Sequence, residues 1–187
     1  MSVLPELDDQ TTIPGTAEMF ARIKAAGIPI PRLYRALGYA PEMLKAWTDL
    51  AWPLRTKAKV SRALRELMIV RVSQMTCNEY EAGVHKVMAR VSGIAEGTLE
   101  ALPSWRGSSE FSDIERLVLQ LGEEIVQGPG AEPDTIGRLK DVFSPQELVE
   151  LILSASFYVC VGKVVASLQI EAEHETTLTL LHEQSPQ

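Results

Sequence analysis

Two segments of the chain are apolar on nearly every side, and they limit the folds that the chain can adopt. Residues 64–75 read LRELMIVRVSQM, and residues 148–170 read LVELILSASFYVCVGKVVASLQI. A helix that is apolar all round has to be buried in a core or in an interface between subunits. The longest charge-free stretch, residues 151–162, is shorter than the ~20 residues that a membrane span needs. The two segments therefore predict two buried helices, and we expect no membrane contact.

The rest of the chain carries helix signals and no clear strand signals. Ser112 and Glu115 form an S-x-x-E capping box before an apolar run with helical spacing. Ser144 and Glu147 have the same relation at the start of the second apolar segment. We expect a loop at residues 103–109 and a helix break at GPGAEP, residues 128–133. No hairpin dipeptide flanks an alternating run, so the sequence predicts an all-α fold.

Length and composition indicate a globular protein with one domain and two short appendages. Of the 187 residues, 45% are hydrophobic and 23% are charged, as in ordinary globular proteins. We expect an N-terminal arm over residues 1–14, a helical domain over residues 15–178 and a C-terminal tail over residues 179–187. The net charge of −7 argues against a nucleic-acid partner, which requires a clustered basic surface. Acidic residues near the N-terminus and only two cysteines favour a cytoplasmic location.

Four polar residues, Glu66, Asn78, Glu81 and His85, stand at the spacing E-x11-N-x2-E-x3-H. If a helix begins at Asn78, positions 78, 81 and 85 lie on one face, because residues i, i+3 and i+7 share a helical face. Glu66 lies inside the first apolar segment, where a carboxylate needs a partner. We therefore expect Glu81 and His85 to meet Glu66, and a pocket to lie between the two helices.

The segment from residue 64 to residue 102, with TCNEYEAGVH at its centre, resembles the carboxymuconolactone decarboxylase superfamily, which includes the alkylhydroperoxidase D-like proteins. Further resemblance covers YRALGYAPEMLKAW, FSDIERLVLQLGEEI and FSPQELVELILSASFYVCVGKVVASLQIE. It implies an alkylhydroperoxidase D-like helical bundle, with a long apolar C-terminal helix, that forms a homo-oligomer. Alkylhydroperoxidase D-like members carry E-x11-C-x2-C-x3-H, in which the two cysteines perform the redox chemistry. Asn78 and Glu81 occupy those cysteine positions, so the chain is similar to the branch that lacks the pair.

The resemblance implies that Glu66 and His85 relay protons. Glu81, four residues before His85, is close enough on a helix to orient the imidazole. Asn78 either donates to a substrate oxygen or only caps the helix, and Tyr80 either offers a phenolic donor or packs in the core. The non-functional alternatives are an ion pair of Glu66 with a neighbouring arginine, a surface pair of Glu81 with His85, and a core histidine bonded to a backbone carbonyl.

We expect acid–base chemistry, either decarboxylation or isomerisation, on a small organic acid or lactone and without a cofactor. One alternative is a peroxiredoxin-type antioxidant that uses Cys77, with Cys160 as the resolving thiol; otherwise Cys77 is expected to be a small buried hydrophobic residue. Another is a metal site built from Glu66, Glu81 and His85, although the sequence has no H-E-x-x-H motif. The last alternative is a non-catalytic oligomeric module that binds a small molecule.

Overall fold

The computed structural model describes residues 2–173, and every regular element among them is helical. This confirms the predicted all-α fold and its long C-terminal helix. A 3₁₀ helix, Leu102–Gly107, follows the sixth α-helix. The α-helices are α1 (Thr16–Ala25), α2 (Arg32–Leu37), α3 (Pro41–Thr56), α4 (Arg62–Met75), α5 (Glu79–Val91), α6 (Glu96–Ala101), α7 (Asp113–Gln127), α8 (Pro133–Val142) and α9 (Pro145–Leu168).

The chain divides into two compact units, and the first comprises the residues up to Lys57 together with those from Val164 onward. Its core contains Phe20 and Leu44, which are 1% and 0% exposed. Residues 2–14 form no helix, but the backbone N–H of Val3 donates to a carbonyl near the end of α9. The domain boundaries predicted at residues 14 and 178 remain predictions, and the predicted C-terminal tail, residues 179–187, lies outside the described residues.

The second unit, Ala58–Lys163, is organised around α4, which packs against α5 and α7. Most of α4 is buried, including Leu67, Met68 and Val70 at 0% exposure. Ser61 caps the helix, because its side chain accepts a hydrogen bond from the backbone N–H of Leu64 at 3.3 Å. The nearly all-round apolar surface of α4 therefore has the buried environment that the sequence predicts.

α9 is the long apolar helix, and its start carries the predicted capping box. The backbone N–H of Ser144 donates to Glu147 Oε2 at 2.9 Å, and the N–H of Glu147 donates to Ser144 Oγ at 3.4 Å. Among residues 2–173, α9 is the helix that is long and apolar enough to cross a membrane by length and composition, with a mean hydropathy of 1.9. Forty-four per cent of that apolar window is buried inside the protein, and the core helix of a globular protein meets the same criterion. The absence of membrane and nucleic-acid partners and the cytoplasmic location remain predictions.

Candidate functional site

A connection of three residues brings α4 and α5 side by side in the second unit. Cys77 has a φ of 51°, in the left-handed region that few residues other than glycine adopt. The next residue, Asn78, is the N-cap of α5, and its Oδ1 accepts a hydrogen bond from the backbone N–H of Glu81 at 3.2 Å. The predicted stripe of positions 78, 81 and 85 therefore forms, with α5 beginning one residue after Asn78.

The stripe brings three of the predicted site residues into one buried cluster. His85 Nδ1 lies 2.6 Å from Glu66 Oε2, and His85 Nε2 lies 3.2 Å from Glu81 Oε2. The side chains of Glu66, Glu81 and His85 are only 7%, 5% and 3% exposed. The cluster is therefore buried between α4 and α5, where the sequence predicts a pocket.

The contacts on the two ring nitrogens of His85 differ in kind. The contact with Glu66 is a hydrogen bond. The contact with Glu81 is close enough for an ion pair, but it lacks the alignment of a hydrogen bond, so Nε2 has no hydrogen-bond partner. Glu66 also lies 3.5 Å from Arg62 Nε through its other oxygen. Glu66 therefore has both the arginine ion pair that is its non-functional alternative and the contact with the histidine.

The surroundings of His85 keep its imidazole protonated at neutral pH. Burial by itself lowers the pKa of His85, but the charge of Glu66, its hydrogen bond and the neighbouring Glu81 raise the pKa to about 9. A histidine of this kind is an acid at neutral pH, because it starts the reaction with a proton to give. The cluster can therefore donate a proton from His85 and can hold negative charge on its two carboxylates.

The start of α5 and the middle of α9 form the next layer around the cluster. The ring of Tyr158 packs edge-on against His85, with ring centroids 4.5 Å apart. A Cβ added at Gly162 would lie 3.4 Å from Asn78 Nδ2 and 3.0 Å from Thr76 Oγ1, so glycine permits this close approach of α9. Asn78 is only 6% exposed, and its Nδ2 has no hydrogen-bond partner. Because a buried donor without an acceptor is costly, Asn78 Nδ2 is a candidate contact for a ligand oxygen.

The geometry argues against a three-ligand metal site at the cluster. Glu66 and Glu81 contact opposite nitrogens of the His85 ring, so one ion cannot bind a single ring nitrogen together with both carboxylates. Within residues 2–173, no group of three His, Cys, Asp or Glu side chains has a metal-binding arrangement. The alternative of a metal held by Glu66, Glu81 and His85 therefore has no geometric support.

The two cysteines lie outside the buried cluster. Cys77 and Cys160 are both free thiols and both exposed. The expectation that Cys77 is a small buried hydrophobic residue is therefore wrong. It rests on a helical position for Cys77, whereas the residue lies in the left-handed connection that precedes α5. The thiol of Cys77 is accessible to solvent. The side chain next to His85 Nε2 is the carboxylate of Glu81.

Two neighbours of the cluster are missing from the sequence-based prediction of site residues. Tyr158 is one of them, and its only sequence signal is a phenol within an otherwise apolar stretch of α9. The other is Arg62, which sequence analysis treats only as an alternative partner of Glu66. Tyr80 is buried at 6% exposure, but five residues before His85 it lies about 140° away around α5. The roles predicted for Tyr80 and for the cluster residues remain predictions.

Comparisons with known proteins agree with this architecture. Residues 41–124 match the model of the carboxymuconolactone decarboxylase family. The uncharacterized protein YdfG of Bacillus subtilis is 29% identical over 116 residues, covering 61% of this chain and 78% of YdfG. The structure of an uncharacterized peroxidase-related protein from Silicibacter sp. TM1040 has a TM-score of 0.77 at 18% identity and covers 93% of both chains. The debrominase Bmp8 has a TM-score of 0.75 at 14% identity, covering 97% of this chain and 98% of Bmp8.

Proposed function

Because the chain belongs to the carboxymuconolactone decarboxylase and alkylhydroperoxidase D-like superfamily, we propose that it transfers protons on a small organic acid or lactone. The observation that supports this most directly is the buried histidine between two glutamates. The cluster contains no thiol, since Asn78 and Glu81 stand at the positions of the cysteine pair. Attack on a peroxide requires a thiolate, which neither an amide nor a carboxylate replaces. Proton transfer is the chemistry that the remaining groups can perform.

Decarboxylation suits the protonation state of His85 best. When the bond between carbon and the carboxylate breaks, carbon dioxide leaves and the electron pair stays on the lactone as an enolate. The protonated His85 then delivers its proton to that carbon, and the imidazole regains a proton from solvent. Because the pKa of His85 is raised to about 9, the acid form predominates at neutral pH. In an isomerisation, a carboxylate of Glu66 or Glu81 accepts the proton first.

Asn78 is the group that we assign to the oxygen of the enolate. Its Nδ2 is buried and has no hydrogen-bond partner, while its Oδ1 is held by the backbone of Glu81. The amide orientation is therefore fixed, with the N–H groups left to bind a substrate oxygen that gains charge. Removing a comparable donor from an oxyanion site costs about 2.7–4 kcal/mol of transition-state stabilisation.

The proposal is tested by incubating the protein with carboxymuconolactone and related lactone acids in D2O and following the reaction by proton NMR. Decarboxylation releases carbon dioxide and places one deuterium on the product, whereas isomerisation places deuterium without loss of carbon dioxide. We expect His85→Gln to lower the rate by about 100-fold or more, because a general acid typically contributes at least that factor. Cys77→Ser is the matched control and should leave the rate unchanged.

Three other results would contradict the proposal in different ways. If Cys77→Ser abolishes turnover of tert-butyl hydroperoxide, the protein is a peroxidase that uses the exposed thiol. If the wild-type protein binds the lactone acids in calorimetry but converts none of them, it is a binding module without catalysis. If it neither binds nor converts any of these compounds, the proposed substrate class is wrong.

A further inference from the structure

α9 contacts His85 through the ring of Tyr158. The two ring planes are nearly perpendicular, at 82°, and the ring centroids are 4.5 Å apart. That separation is at the close end of the range for edge-to-face aromatic pairs. Tyr158 is only 4% exposed, and Phe157 packs against it in turn, with ring centroids 5.5 Å apart. The imidazole of His85 is therefore in contact with a ring that the core itself encloses.

Gly162 keeps the backbone of α9 close to this region. It lies four residues after Tyr158, so the two residues share one face of the helix. A Cβ at position 162 would lie 3.0 Å from Thr76 Oγ1, which is closer than ordinary van der Waals contact. A movement of α9 away from His85 would break this packing, and a close-packed interior leaves a large ring little room to move. Tyr158 is therefore held in place against His85.

The hydrogen bonding of His85 holds its ring at one nitrogen only. Nδ1 is hydrogen-bonded to Glu66 Oε2 at 2.6 Å, whereas Nε2 lies 3.2 Å from Glu81 Oε2 without hydrogen-bond alignment. Rotation about the bond between Cβ and Cγ would move both nitrogens out of these positions. A second ring set across the imidazole at 82° opposes that rotation, because the atoms of the two rings would collide.

We propose that Tyr158 is a positioning residue, whose ring fixes the orientation of the His85 imidazole so that Nδ1 stays on Glu66 and Nε2 faces the substrate. This inference rests on the proposed proton transfer, in which Nε2 is the nitrogen left to deliver the proton because Glu66 engages Nδ1. A misplacement of about 1 Å in a reacting group can lower a rate by about 100-fold. Tyr158 acts on the reaction only through His85.

An NMR titration of His85 tests the proposal without any substrate, and comparison with His85→Gln identifies the signal. The side chains that face His85 are Glu66 of α4, Glu81 of α5 and Tyr158 of α9. Arg62 lies beside Glu66. Tyr158→Leu leaves every charged group in place but lets the imidazole rotate, so its hydrogen bond with Glu66 forms for only part of the time. We expect the pKa of His85 to fall from about 9 by about one unit or more.

The hydroxyl and the ring of Tyr158 are separated by a second substitution. Tyr158→Phe keeps the ring, so the titration of His85 should match that of the wild-type protein. With a lactone acid that the wild-type protein converts, Tyr158→Leu should lower kcat about tenfold or more and change KM by less than about twofold. The loss of activity at alkaline pH should also begin at a lower pH than in the wild-type protein, because it follows the pKa of His85.

Phe111→Leu is the matched control for the loss of a core ring. Phe111 is 5% exposed and packs in the core of the same unit with Trp105. This substitution should lower stability without changing the titration of His85. If Tyr158→Leu does not fold, Tyr158→Met replaces it, because methionine fills the space without a rigid ring.

Two results would overturn the role of Tyr158. One is a folded Tyr158→Leu or Tyr158→Met protein in which His85 titrates as in the wild-type protein, even if the rate falls. The other is a fall in the pKa of His85 that is equally large in Tyr158→Phe, since the ring is intact there. A wild-type protein that converts no lactone acid contradicts the proposed function instead, and the titration then still decides whether Tyr158 orients His85.

Discussion

Two buried glutamates in the second unit, Glu66 and Glu123, differ in one kind of partner, because Glu66 contacts a histidine and Glu123 does not. Glu123 accepts hydrogen bonds from Arg71 Nε at 2.7 Å and from Trp105 Nε1 at 2.8 Å, and it also pairs with Arg106. Glu66 hydrogen-bonds a histidine, His85, at 2.6 Å and also pairs with Arg62 at 3.5 Å. The two side chains are similarly buried, at 3% and 7% exposure. The difference between the two clusters therefore lies in their partners and not in their burial.

The partners determine whether a buried carboxylate can take part in proton transfer. Burial raises the pKa of Glu123, but the hydrogen bonds from Trp105, Arg106 and Arg71 together lower it by more, so the net shift of the pKa is downward. Since arginine does not release its proton, this cluster stays ionised and connects the 3₁₀ helix to α4 and α7. One partner of Glu66, the imidazole of His85, is titratable, and His85 Nε2 has no hydrogen-bond partner. We infer that the Glu123 cluster stabilises the fold and that the Glu66 cluster can perform chemistry.

The largest effect on stability is expected at the Glu123 cluster. Glu123→Gln leaves the charge of Arg71, which is only 17% exposed, without its carboxylate. Breaking a buried ion pair in this way costs about 3–5 kcal/mol of the free energy of unfolding. Urea denaturation at neutral pH measures the loss, and Glu100→Gln on the exposed surface of α6 is the control with no expected effect. A loss below about 1 kcal/mol would place the Glu123 cluster among weak surface pairs.

The two clusters should also respond to pH in opposite directions. The native state holds the proton of His85 up to a pH of about 9, whereas an unfolded histidine releases it near pH 6.5. The stability that His85 contributes is therefore fully present below pH 6.5. As the pH rises toward 9, the free energy of unfolding falls by roughly 3 kcal/mol. The pKa of Glu123 is lowered in the folded protein. The stability that the Glu123 carboxylate contributes is therefore present above pH 4.5 and is lost as the pH falls through the lowered pKa.

Denaturation curves of the wild-type protein and of His85→Gln at several pH values separate the two contributions. The loss of stability between pH 6.5 and pH 9 should be present in the wild-type protein and absent from His85→Gln. Both proteins should lose stability alike in acid, since Glu123 is intact in each. An identical alkaline slope in the two proteins would show that His85 does not hold an extra proton.

A smaller loss of stability is expected when the titratable cluster is broken. Glu66→Gln removes the main partner of His85, but the imidazole can release its proton, so the charge left without its carboxylate is that of Arg62, whose side chain is 23% exposed. We expect a cost of about 1–2 kcal/mol, below that of Glu123→Gln, and a fall in the pKa of His85 by more than about one unit. Urea denaturation and an NMR titration of the histidine signals measure the two quantities. Equal costs for the two substitutions would remove the distinction between fixed and titratable partners.

Much of the fold was predictable because its signals are local. The capping box of Ser144 and Glu147 depends on residues three apart, and both reciprocal bonds form. The apolar surface of α4 predicts burial without any knowledge of its partners. The contact between Glu66 and His85 was predictable for the same reason, since a carboxylate within an apolar helix has to meet a polar group and the next helix carries one at a suitable spacing.

Other parts depend on contacts that no local pattern contains. The expected loop at residues 103–109 is largely a 3₁₀ helix, and Arg116 of α7 holds it by donating to the carbonyls of Trp105 at 3.0 Å and Arg106 at 3.2 Å. α8 follows the predicted helix break, and no sequence pattern predicted it. It is anchored by the buried side chains of Thr135 and Leu139, both 0% exposed. Tyr158 reaches His85 only through the packing of α9. These features arise from tertiary structure, so periodicity could not predict them.

The smallest effect is expected at Glu81, and it distinguishes the two sides of His85. The carboxylate of Glu81 lies 3.2 Å from Nε2 without hydrogen-bond alignment, whereas that of Glu66 is aligned at 2.6 Å from Nδ1. Glu81→Gln should therefore lower the pKa of His85 by less than Glu66→Gln does and should cost below about 1 kcal/mol of stability. The chain has three histidines, so comparison with His85→Gln identifies the signal in an NMR titration. A larger fall for Glu81→Gln than for Glu66→Gln would mean that Glu81 is the main counter-ion of His85 and that its carboxylate sets the pKa of the imidazole.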